Sequence, residues 1–148
     1  MATNFLWGTT GAVAHLLTTE MNSLAISTLT ALGPEINNTN GPQLGQLTLT
    51  LASAAFVAGN YASVYFMPSN DTAGGSYPTL GTFSTEALSN YLAGVMYIKG
   101  TTAAQLSLLT NVIIPSGKFK AFLATGGSCP TLASSGNTLD LYPTPTQY

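Results

Sequence analysis

Apolar and polar residues alternate in segment after segment of this chain, and that period of two dictates extended structure. A strand turns successive side chains to opposite faces, so a half-buried strand repeats every two residues. Leu47, Leu49 and Leu51 alternate with Gln46, Thr48 and Thr50 in this way. Residues 61–67 form a second such stretch, stopped by Pro68, and residues 92–98 a third, ended by Lys99 and Gly100. A fourth begins at Ala104 and runs to Ile113 and Ile114 before Pro115. Phe119, Ala121 and Leu123 alternate with Lys118, Lys120 and Phe122 in a fifth. Residues 138–142 make a sixth, closed by Pro143 and Pro145. Residues 25–32, rich in β-branched side chains, are a candidate seventh.

One helix is expected, because Val13, Leu16, Leu17, Met21 and Leu24 follow the i, i+3, i+4 spacing of an apolar helical stripe. Turn-forming residues place loops at 37–42, 69–78, 115–117 and 126–136. The reading is one domain over residues 1–148: mainly β, an antiparallel β-sandwich, jelly-roll-like, with one short N-terminal helix. An extended N-terminal segment (about residues 1–12) and a Pro-rich C-terminal tail (143–148) flank it. The core is expected between Leu44 and Leu141, with the N-terminal residues at its edges.

Charge is scarce: three Lys, no Arg, five acids and one His, or 5% charged residues. A folded chain of this size exposes about 7,100 Å², so there is one charge per about 900 Å². Thr, Ser, Asn and Gln, 49 in all, and apolar groups must cover the rest. Three lysines make no basic groove for nucleic acid, and without Arg there is no guanidinium fork for phosphate or carboxylate. No 18-residue stretch is free of polar interruption, so no membrane-spanning helix is expected, and no secretory signal is expected from Met1-Ala2-Thr3-Asn4. So uncharged a surface favours association, and part of it is expected to be covered.

Catalytic chemistry has few carriers. His15 is the only imidazole, and no G-x-S-x-G elbow supplies it with a nucleophile. Cys129 is alone, which excludes an internal disulfide and a Cys/His metal site. The five acids Glu20, Glu35, Asp71, Glu86 and Asp140 show no pairing that marks a cleft. No catalytic residue, cofactor or metal is assigned. Asn37-Asn38-Thr39 and Asn70-Asp71-Thr72 match the glycosylation pattern and are read as chance matches. Trp7, Tyr61, Tyr65, Phe66, Tyr77, Tyr91, Tyr97 and Tyr142 are available to stack on a sugar, though aromatic rings are more often core or interface.

Several runs together resemble small structural virion proteins of tailed bacteriophages. They are Phe5-Leu6-Trp7-Gly8, the stretch 16–24, Glu35-Ile36-Asn37-Asn38, residues 51–61, residues 114–120 and residues 133–139. The resemblance implies a capsid decoration (cement) or minor capsid role, without enzymatic activity, on the virion surface after synthesis in the host cytoplasm. Its partners would be the major capsid protein and other copies of itself, a homotrimer being expected, with neither nucleic acid nor membrane involved. Phe5, Trp7, Tyr142 and Tyr148 are the candidate interface residues. The alternative is a tail-associated module that holds host glycans on its aromatic residues.

Overall fold

The computed structural model describes residues 13–25, 28–70, 75–78 and 89–144. Eight strands dominate it: β1 (Ala14–Leu17), β2 (Ile36–Asn38), β3 (Leu44–Leu51), β4 (Tyr61–Pro68), β5 (Leu92–Tyr97), β6 (Gln105–Ile113), β7 (Gly117–Gly126) and β8 (Thr138–Thr144). All pairings are antiparallel, and the strands form two four-stranded sheets in the orders β1-β8-β3-β6 and β2-β7-β4-β5.

The alternation read from the sequence explains how the sheets meet. Leu47, Leu49, Leu139 and Leu141 leave the first sheet on one side, and Ala62, Val64, Phe66, Phe119, Ala121 and Leu123 leave the second. These side chains share a single buried core, so the sheets pack face to face in a sandwich-like arrangement. Phe66 and Phe119 fill its middle with ring centroids 5.1 Å apart. Between β5 and β6 the sheets close on each other. Gly94 has no Cβ, and Leu109 occupies the space where one would stand. Ser107 reinforces this side by donating its hydroxyl to the Tyr97 carbonyl, 3.0 Å away.

The N-terminal helix is not formed; this is a correction. Residues 14–17 are strand β1, paired with β8, and only Thr19–Met21 winds into a single 3-10 turn. Leu16 and Leu17 are both fully buried although adjacent, because the register shifts between His15 and Leu17. That irregularity lets an edge strand imitate the neighbouring apolar pair of a helical stripe. The N-terminal residues therefore enter the core, with Leu16, Leu17, Met21 and Leu24 among its members.

Residues 28–32 contribute only an isolated bridge, Leu29 to Ala124, instead of a seventh full strand. Where a loop was expected from residue 37, β2 occupies Ile36–Asn38. Strand β8 also passes through Pro143 to Thr144, pairing with Gly45 and Leu44. Among the described residues the β1 pairing reaches no further than Leu141, so no described neighbour on that side asks for the missing N–H of Pro143.

Candidate interaction face

The outer faces of the two sheets differ. On the β2-β7-β4-β5 sheet, Met67 and Phe122 point away from the main core yet are fully buried. Leu29, Leu32, Tyr65 and Tyr77 pack over them, and Tyr65 stacks on Phe122 at 4.8 Å. Tyr77 is held in turn: its hydroxyl donates to Glu35 at 2.9 Å, and the Lys120 ammonium lies 4.8 Å from its ring centroid. Lys118 completes the cluster, 3.2 Å from the same carboxylate. The Tyr77 hydroxyl first, and Lys118 second, hold the Glu35 carboxyl below its ordinary value.

No such cover is packed on the outer face of the β1-β8-β3-β6 sheet by the described residues. The register fixes its rows. Leu106 lies opposite Thr50, which lies opposite Thr138; Leu108, Thr48 and Asp140 form the next row, extended by His15. Tyr142 lies opposite Gln46, and Ile113 and Thr144 flank Leu44. Ile113 is 74% exposed, Leu106 61% and Leu108 56%. Leu44, Tyr142 and Val13 are exposed as well. The face is thus graded, apolar along β6 and polar toward β1. Leu106 and Leu108 form an exposed apolar pair, Ile113 lies beyond the exposed polar Thr110 and Asn111, and large apolar side chains gathered on one face in this way make it a candidate place for another molecule to sit.

Alternation alone would turn Leu106 and Leu108 inward. Gln105 reverses the strand: it is buried, and its side-chain amide accepts from the Lys99 N–H and donates to the Lys99 carbonyl, both at 2.8 Å. A glutamine that closes the β5–β6 connection puts its leucine neighbours outside. The signal legible in the sequence was a glutamine starting a strand directly after a turn.

His15 and Asp140 sit at the polar end of this face, with His15 Nδ1 2.6 Å from the carboxylate. This pairing was invisible in the sequence, where the two lie 125 positions apart. It does not assemble a nucleophile: the hydroxyl in the chain, Thr138, donates to Asp140 at 3.2 Å rather than to the imidazole. Among the described residues, no three His, Cys, Asp or Glu side chains gather into a metal site. Cys129 is fully buried, and desolvation pushes its thiol up. No helix among the described residues is long and apolar enough to cross a membrane.

Of the expected interface residues, Tyr142 lies on the bare face, whereas Phe5, Trp7 and Tyr148 lie outside the described residues. The aromatic candidates divide. Phe66 is core, and Tyr65 and Tyr77 serve the covered face. Tyr91 closes the 3-10 turn before β5 and borders a hollow with Phe66, Leu92 and Ile113. Tyr61 and Tyr97 are cross-strand partners that border an open hollow with Gly59, Ser63 and Val95. No family model, curated protein or solved structure matches the chain.

Proposed function

We propose that this chain is a structural virion protein, a capsid decoration or cement subunit that binds the head of a tailed phage and stabilises it. Strand order carries the reading. The order β1-β8-β3-β6 and β2-β7-β4-β5 supports reading the eight strands as two Greek keys, a jelly roll, an architecture found in viral capsid and lectin domains. The bare apolar face and the scarcity of charge fit a subunit held by shape and apolar contact, repeated over many copies so that avidity replaces strong single contacts. In this reading the protein is not an enzyme, its partners are the major capsid protein and its own copies as a trimer, and it resides on the capsid surface after synthesis in the host cytoplasm.

Adding purified protein to phage heads that lack it tests the proposal. Saturable, stoichiometric binding that raises the melting temperature of the head is expected. Absence of binding, or binding that leaves head stability unchanged, overturns it.

The Tyr61–Tyr97 hollow favours a second reading, a glycan-holding module. Tyr97 is 76% exposed on β5 and, among the described residues, no charged side chain lines the hollow, which suits the C–H face of a neutral sugar. A glycan array separates the two readings. Specific glycan capture lost in Tyr97→Ala supports the second, and a blank array removes it.

A further inference from the structure

We infer that the bare face of the β1-β8-β3-β6 sheet is where this chain meets a second copy of itself, with Leu106, Leu108 and Ile113 at the centre of the contact. The inference deepens the reading above by naming the surface that the copies share.

Three observations carry it. The first is the gradient across the face. Leu106, Leu108 and Ile113 line the β6 edge, Leu44 and Tyr142 lie behind them, and His15 and Asp140 sit at the far edge. The apolar side chains gather on one side of the face and the polar ones on the other, so a partner seated over β6 would meet apolar groups with the polar side chains of β1 and β8 along one border of the contact. The second is charge. Strands β5 and β6 contain no ionisable group except Tyr97, and the face's acid is paired with His15 at 2.6 Å. Identical copies, each of formal net charge −2, therefore bring no like charges together at the centre. The third is area. Strands of 4, 7, 8 and 9 residues, about 4.8 Å apart at about 3.3 Å per residue, give a footprint of roughly 440 Å². Two such faces, before side-chain relief is added, approach the roughly 1,000 Å² in total that a specific interface clears.

Side chains, rather than an added strand, make this contact. Natural edge strands are guarded by lysine, proline or bulges. Strand β6 has neither lysine nor proline, but its register against β3 shifts between Leu109 and Val112, and Asn111 has a φ of 57°. That break spoils β6 as a template for continuous ladder pairing while leaving its outward leucines free to pack.

Light scattering and sedimentation of the full chain test the inference, with a double variant, Leu106→Lys and Leu108→Lys. Wild-type protein at tens of micromolar is expected to run as a dimer or trimer, and the double variant to dissociate at least about tenfold more readily with its melting temperature kept. A second arm uses Leu108→Cys under mild copper-phenanthroline oxidation. The native Cys129 is buried, so a covalent dimer forms only through the new thiols; Ala55→Cys, in the β3–β4 connection, stays uncrosslinked. If the lysine pair unfolds the chain, the cysteine arm decides by itself. A wild-type monomer, a double variant that associates like wild type, or a Leu108→Cys protein that fails to crosslink overturns the inference. A monomer that still binds and stabilises phage heads overturns it while leaving the decoration reading in place.

Discussion

Thr125 has the one buried side-chain oxygen without a hydrogen-bond partner among the described residues. It lies on β7 opposite Ala62, on the core side of the sheet with Leu123 and Ala121. Burying an unpaired hydroxyl costs on the order of 1–3 kcal/mol, and valine has the same shape without it. Thr125→Val is expected to stabilise the fold by about 1 kcal/mol, raising the melting temperature by about 2–4 °C for a chain of this size. A calorimetric scan checks this; a fall would mean that the hydroxyl does work in the native state. Buried amides behave oppositely. Asn60 accepts from the Val57 N–H at 2.8 Å and donates to the Gly127 carbonyl, tying two connections together. Cys129 belongs at this scale too. A thiol that is buried and shifted upward is rarely a thiolate at neutral pH, so a disulfide reagent is expected to label it only after denaturation. Rapid labelling of the native protein would contradict that burial.

The Tyr77–Glu35–Lys118 cluster acts between elements. Glu35 lies immediately before β2, Lys118 is the second residue of β7, and Tyr77 belongs to the connection that follows β4. Because Glu35 titrates below its ordinary value when folded, its contribution is present above the unfolded carboxylate value of about 4.3. That contribution is lost as pH falls through the lower, folded value. Melting wild-type and Glu35→Gln proteins from about pH 7 to about pH 3 should show a small gap near neutrality that closes in acid. A gap that widens in acid would reverse the sign and exclude the cluster as its source. Elements with a clear period were legible in the sequence: β5 and β6 fall within the expected stretches, and β3, β4, β7 and β8 contain theirs but run one to four residues beyond them, β4 and β8 through the prolines read as stops. Strand β1 was misread because its irregular register buries Leu16 and Leu17 side by side. Strand β2 has only Ile-Asn-Asn, too short for any period, and its Asn38 amide instead joins the Pro42 and Pro115 carbonyls at 2.9 and 3.0 Å. The candidate face was half legible. Tyr142 was singled out, but the outward turn of Leu106 and Leu108 depends on Gln105 meeting Lys99, a contact that periodicity does not encode.

At the scale of the whole molecule, so uncharged a surface favours association. In the reading proposed above, a closed assembly would use the apolar surface once, in a defined geometry, and leave Thr, Ser and Asn to face water. Trp7 bears on this directly. It lies within the first twelve residues, outside the described structure, in a stretch that also carries Phe5 and Leu6 and no charge. The described residues form one buried core that includes Leu16 and Leu141. In the proposed reading a large ring contributes most to association where it inserts into a pocket of another subunit or of the capsid floor, because buried aromatic anchors dominate interface energies. Trp7→Ala is therefore expected to weaken self-association or head binding by about tenfold or more, a loss of about 1.4 kcal/mol, while lowering the subunit's melting temperature by only a degree or two. Sedimentation, head binding and calorimetry on the same variant separate the two effects. Should the isolated subunit lose its fold while the surviving molecules assemble normally, Trp7 is a core residue of its own chain, and the N-terminal segment has no part in the interface.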